Sequence, residues 1–147
     1  MKKLLSLLLT IVMLLLGTGV AYAAVPEEEI VTHAYANISS FNATLDISST
    51  GMARVRITCS ALSSFTKVNI YTNLYHYENG EWVRVSTETI YDWKDHLSPS
   101  IGTSMDNLHK KQLTQRGNYK IVALCIAYGT GGDGNPDVDE ITSYDTY

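Results

Sequence analysis

Residues 68–91 constrain this chain more than any other stretch, because two alternating arms meet there at Asn79-Gly80. A two-residue Asn-Gly loop favours a type I′ hairpin turn, since both positions tolerate the positive φ that this turn requires. The turn then dictates every cross-strand pair. Glu78 should face Glu81, Tyr77 should face Trp82, Tyr75 should face Arg84 and Leu74 should face Val85. Continuing the same register puts Thr72 against Thr87 and Ile70 against Thr89. One face of the hairpin collects Val68, Ile70, Leu74, Val83 and Val85, and the other collects Tyr71, Tyr75, Tyr77, Trp82 and Arg84. A slip of one residue would scatter the apolar set over both faces, so turn chemistry and hydrophobic pattern agree on one register.

The flanking segments alternate in the same way. Phe41, Ala43, Leu45 and Ile47 interleave with polar residues, and Ala53, Val55, Ile57, Cys59 and Ala61 do so after a turn at Ser48-Ser49-Thr50-Gly51. Period-2 alternation is the mark of a half-buried strand. Tyr119, Ile121, Ala123, Cys125 and Ala127 alternate with a second, largely apolar set that includes Val122, Leu124 and Ile126, which predicts a central strand covered on both faces. Residues 138–147 alternate as a closing strand after a glycine-rich loop. Residues 92–103 contain Pro99 and Gly102 and read as a connection crossing between sheets; residues 104–115 read as a strand, with a short helix as the alternative. Residues 30–37 read as a frayed edge strand or a tail. The expected fold is therefore all-β: a two-sheet antiparallel sandwich, immunoglobulin-like, of about seven strands.

The N-terminus carries a different signal. Lys2 and Lys3 precede an apolar run from Leu4 to Leu16, and Ala21-Tyr22-Ala23 has the small-x-small pattern of a cleavage site. Residues 1–23 are thus expected to be a secretory signal peptide, 24–37 an N-terminal lead-in, and 38–147 a single domain. The apolar run is short for a membrane span, and no such span is expected in the mature chain. Loss of Lys2 and Lys3 lowers the basic count from 11 to 9 against 15 acids, a formal charge of −6. That charge, with no basic cluster beyond Lys110-Lys111 and nearby Arg116, argues against nucleic acid as a partner. The expected location is extracellular.

Cys59 and Cys125 both fall on inward parity in an exported chain, so a disulfide between them is expected. Immunoglobulin domains bridge equivalent strands. However, no Trp follows Cys59 on the next strand, and Ala123 stands where the tyrosine of the family's corner motif would be.

Tyr77-x-Asn79-Gly80-x-Trp82 on the hairpin, Gly117-x-Tyr119 opening a later strand, and a closing strand that contains Glu140 after a glycine-rich turn resemble a family of small secreted proteins from clostridial Gram-positive bacteria, a domain of unknown function. The resemblance spans nearly all of the mature chain. It implies the same compartment and fold and brings no catalytic residues. The cysteine pair and the long segment 133–140 depart from that family's pattern.

Several motifs invite a chemical reading. Gly129-x-Gly131-x-x-Gly134 matches a dinucleotide fingerprint by letter, but the loop is acidic and no helix follows to receive a phosphate, so no cofactor is expected there. Asp133, Asn135, Asp137, Asp139 and Glu140 space oxygen ligands as a calcium loop does, although Val138 replaces the glycine of the sharp turn and Tyr144 the bidentate glutamate. A calcium-binding structural module is therefore one alternative. The four histidines are scattered and form no zinc motif. Without a nucleophile elbow, a small secreted hydrolase is the other alternative, and it would need a polar cleft. The leading expectation is a non-enzymatic module that binds an extracellular glycan or protein through Tyr71, Tyr75, Tyr77, Trp82 and Arg84, since aromatic and Arg side chains dominate interface energetics. Cross-strand pairs such as Tyr75 with Arg84 could equally stabilise the sheet alone, by roughly 0.2–1 kcal/mol each.

Overall fold

The computed structural model of the chain describes residues 35–86, 90–132 and 134–147. The signal-peptide segment 1–23, most of the lead-in, Thr87, Thr89 and Asp133 lie outside the described residues. The described chain is all-β, and among these residues no helix is long and apolar enough to cross a membrane. Eight antiparallel strands follow one another: β1 (Ile38–Ile47), β2 (Met52–Ala61), β3 (Phe65–Glu78), β4 (Glu81–Arg84), β5 (Trp93–Leu97), β6 (Ser104–Gln112), β7 (Asn118–Gly129) and β8 (Asp137–Thr146). A three-stranded sheet has the order β1-β2-β6, and a five-stranded sheet the order β4-β3-β7-β8 with β5 also on β3.

The Asn79-Gly80 turn forms as its chemistry demands, with φ of 52° and 92°. Tyr75 pairs with Arg84, His76 with Val83, Tyr77 with Trp82 and Glu78 with Glu81. The Val85 N–H also donates to the Leu74 carbonyl, 2.8 Å away. Below that point the expected register gives way. Thr72 pairs with Trp93 and Ile70 with Asp95, so the lower half of this edge belongs to β5 rather than to a continuation of β4. The handover has a physical cause in Asp92: its carboxylate accepts the Leu74 N–H at 2.8 Å while its own N–H donates to the Thr72 carbonyl at 3.1 Å. A side chain thus stands in for the ladder where β3 changes partners. β5 is also the strand not foreseen in the connection 92–103.

The core lies between the sheets. β2 contributes Val55, Ile57 and Cys59; β3 contributes Val68, Ile70 and Leu74; β7 contributes Ile121, Ala123 and Cys125; all are buried. Each such aliphatic side chain contributes about 1.5–3 kcal/mol through removal from water. β7 is central, between β3 and β8, as its two-sided apolar pattern predicts. Residues 104–112 form a strand and not a helix, paired along their length with β2. Val83, expected inward, is 46% exposed; it stands opposite His76, level with the last β3–β7 pair, on the edge strand β4.

Polar side chains close both flanks of the sandwich. On one flank, β8 turns Asp137, Ser143 and Asp145 toward the edge of β1: Asp137 accepts the Asn37 N–H at 2.6 Å, Ser143 Oγ accepts the Leu45 N–H at 3.1 Å, and Asp145 accepts the Ile47 N–H. On the other flank, Asp95 of β5 accepts from Asn107 Nδ2 at 2.7 Å and His109 Nε2 at 2.8 Å, both on β6. On the β8 flank these inward-turned polar groups satisfy edge backbone that would otherwise be open to pairing with another chain.

The cysteine expectation needs correction. Cys59 and Cys125 do point into the core and meet there, but they are free thiols. Their contact pushes the Cys125 thiol up and draws the Cys59 thiol down, and both sulfurs are buried, unlike the exposed setting of a reactive cysteine. The immunoglobulin-like expectation holds only at the coarser level of a two-sheet antiparallel sandwich. In the immunoglobulin constant arrangement the first sheet has four strands, whereas here the strand before β6 pairs with β3 in the opposite sheet.

Candidate functional site

The two outer faces of the sandwich differ in chemistry. On the small sheet, Arg56 and Asp106 form a forked pair with Nε to Oδ1 at 2.8 Å, and Arg54 lies 3.5 Å from Asp46. The Arg56 hydrogen bond pulls the Asp106 carboxyl below its usual range. On this face both arginines are thus paired with carboxylates.

The outer face of the large sheet is aromatic. Outward parity brings Tyr71, Tyr75, Tyr77, Trp82 and Arg84 to one side, as the hairpin register requires. Two residues the hairpin alone could not name join them, since β7 sets Lys120 beside Tyr75 and β8 sets Tyr144 beside Lys120. Lys120 Nζ lies 5.5 Å from the Tyr75 ring centroid and 4.9 Å from that of Trp82. Trp82 in turn is 5.0 Å from Tyr77 and 5.9 Å from Tyr144, each pair inclined at 57°. The strip is continuous, and its rings are tilted rather than coplanar. Tyr77 is 44% exposed and Tyr144 50% exposed.

Two expected members play other parts. Tyr71 sits apart from the cluster, against Tyr91 at 4.4 Å and beneath Lys94 at 5.5 Å. Arg84 is not the cation on Tyr75; that place belongs to Lys120, and Arg84 Nε instead points to Asp92 at 3.7 Å. Lys120 and Tyr144 carried a legible signal, the even-numbered parity of their strands. Without the β7–β8 register nothing connected that parity to the hairpin.

Arg84 also lines a cavity of about 290 Å³ beneath the hairpin tip, together with His76, Glu78, Lys111, Gln115 and Tyr119. His76 stacks on Tyr119 at 4.4 Å, and its ring nitrogens face the Glu78 carboxylate at 2.7 Å and the Arg116 carbonyl at 3.3 Å. The Tyr119 hydroxyl donates to the Gln115 carbonyl at 2.7 Å. Burial, and then the charge of Glu78, push the Tyr119 phenol up.

The acidic run 133–140 is divided by its strand. Asp137 and Asp139 face inward, where Asp137 holds the start of β1 and Asp139 bonds Tyr35. Val138 and Glu140 face outward opposite Ile126 and Leu124, and Asp133 lies outside the described residues. Among the described residues no group of three or more His, Cys, Asp and Glu side chains converges as a metal site would. The glycines at 129 and 131 also have a packing role. A Cβ on Gly129 would meet Asn37 Oδ1 at 2.0 Å, and the Gly131 N–H donates to that same oxygen at 3.2 Å.

No protein-family model matches this chain, and neither does any curated protein.

Proposed function

We propose that this chain is an extracellular, non-enzymatic binding module that takes a glycan chain on the outer face of its large sheet. The observation that carries this reading is the cluster of Tyr75, Lys120, Trp82 and Tyr144, with Tyr77 at its end. Tyrosine and tryptophan offer apolar ring faces to sugar C–H groups and polar edges to sugar hydroxyls. Rings tilted against one another, here by 57°, suit a chain whose successive sugars turn. The signal-peptide pattern of residues 1–23 supports a location outside the cell. The resemblance of its motifs to small secreted proteins of clostridial bacteria supports the same reading.

The test is a binding screen of the purified protein against immobilised polysaccharides and cell-surface proteins, read by tryptophan fluorescence and retention. A glycan should be bound, and Trp82→Ala should weaken it at least tenfold, about 1.4 kcal/mol, with unchanged thermal unfolding. Binding that survives both Trp82→Ala and Tyr144→Ala would sink the reading. Retention of a protein and of no glycan would replace it with a protein interface at the same face.

A further inference from the structure

We propose that the cavity beneath the hairpin tip is a second binding site, for a small hydroxylated carboxylate the size of a single sugar acid. Its chemistry is separate from that of the aromatic strip and does not depend on it. At about 290 Å³ it matches the lower end of small-molecule sites, roughly 300–1,000 Å³.

The argument starts from charge. Lys111 and Arg84 both line this cavity, and they share one carboxylate, that of Asp92: Lys111 Nζ is 3.4 Å from Oδ1, and Arg84 Nε is 3.7 Å from Oδ2. Asp92 is already committed, since Oδ2 accepts the Leu74 N–H at 2.8 Å. The Arg84 contact is therefore an ion pair without a hydrogen bond. Its Nε and Nη2 are buried and have no hydrogen-bond partner at all. An unsatisfied buried donor is costly, and more so when charged. Arg84 and Lys111 thus place two cations on one side of the cavity, and the Glu78 carboxylate stands on the other.

A ligand carboxylate can take the Lys111 ammonium, whose side chain is 31% exposed, and a small shift of the Arg84 side chain, 24% exposed, would turn its unpartnered guanidinium donors to the same carboxylate. Across the cavity stands Glu78, which uses Oε1 on His76 at 2.7 Å and has a second oxygen to accept from a ligand hydroxyl. That carboxylate also disfavours a dianionic phosphate, whose second charge would face it. A monoanion that carries hydroxyls fits both walls.

Calorimetric titration of the full chain with D-glucuronate, glucose and acetate tests this. Glucuronate should bind saturably at one site, with glucose and acetate each at least tenfold weaker, and the difference from glucose should shrink as salt screens the cations. Because buried Asp92 loses one of its two cations, Lys111→Met should lower the unfolding midpoint, and at a temperature where the variant is fully folded it should weaken glucuronate binding at least tenfold. Trp82→Ala should leave it unaltered, which separates this site from the aromatic strip. In a Trp82→Ala background, an oligoglucuronate that binds more tightly than the monomer would make the natural ligand a chain terminus, and weaker binding would make it the free acid. The proposal is overturned if glucose matches glucuronate, if neither sugar binds, or if a folded Lys111→Met variant binds normally.

Discussion

Asp92 shows how much a single side chain can carry in this sandwich. Its side chain is 2% exposed and is engaged by Leu74, Arg84 and Lys111 together. Removing one partner of a buried charge group leaves the others uncompensated, at about 3–5 kcal/mol. Asp92→Ala should therefore lower the free energy of urea unfolding by about 3 kcal/mol, and Asp92→Asn by less because the Leu74 N–H keeps an acceptor. Two tyrosines add a pH dependence whose direction follows from their surroundings. Burial and then the Asp139 hydrogen bond raise Tyr35, and burial and then the charge of Glu78 raise Tyr119. A raised folded value means that the native state holds a proton the unfolded chain releases. That stability is complete below the ordinary tyrosine range, about pH 10, and is lost as pH rises through it and beyond. The unfolding midpoint should fall between about pH 9 and pH 11, and Tyr119→Phe should flatten the slope. Sequence alone made Tyr75, Trp82 and Arg84 legible as facing neighbours, because the turn at Asn79-Gly80 is local. It left Asp92 looking like a loop residue, since its partners are backbone and side chains set by β6 and by the change of strand on β3.

Among the elements, β8 is the one whose inward face runs against expectation. Asp137, Asp139, Ser143 and Asp145 occupy positions where a sandwich strand would ordinarily present aliphatics, and only Ile141 among them packs on the core. They serve the β1 backbone, at about 0.5–1.5 kcal/mol for each bond made and about 1–3 kcal/mol for each donor left without one. Asp145→Ala should accordingly destabilise the fold by about 1–3 kcal/mol and raise the amide exchange rate of Ile47 well above that of Ile57. Exchange followed residue by residue would show it, and equal protection in the variant would contradict it. The opposite flank explains a difficulty in reading the chain. β6 turns Met105, Asn107, His109 and Lys111 inward, and with polar residues on the buried side its period could not separate strand from helix. β5 was hidden for the same reason, because Asp95 stands between Trp93 and Leu97 in its inward row and answers Asn107 and His109.

At the scale of the sandwich, a face of paired charges and an aromatic face sit on opposite sides of one core. That core holds two thiols, of which Cys59 is 1% exposed and Cys125 0%. Neither should react with a thiol reagent in the native state, and both should react once denaturant opens the fold. A slow native reaction would report the rate of opening. A fast one would show that the sheets separate far more readily than such burial allows. The two-sheet architecture was legible because aliphatic alternation in β1, β2, β3 and β7 is strong. The aromatic strip was legible on β3 and β4 but not on β7 and β8, where membership depends on pairing between distant segments.

The clasp between the first strand and the last has a consequence for how such a chain comes into being. Leu45 and Ile47 receive their acceptors from residues 98 positions further on, and contacts of that separation form late, after the entropy of a long loop has been lost. A chain made, or threaded through a pore, N-terminus first cannot seal β1 until β8 has emerged. Up to that moment the order of emergence itself keeps the module open and able to pass through.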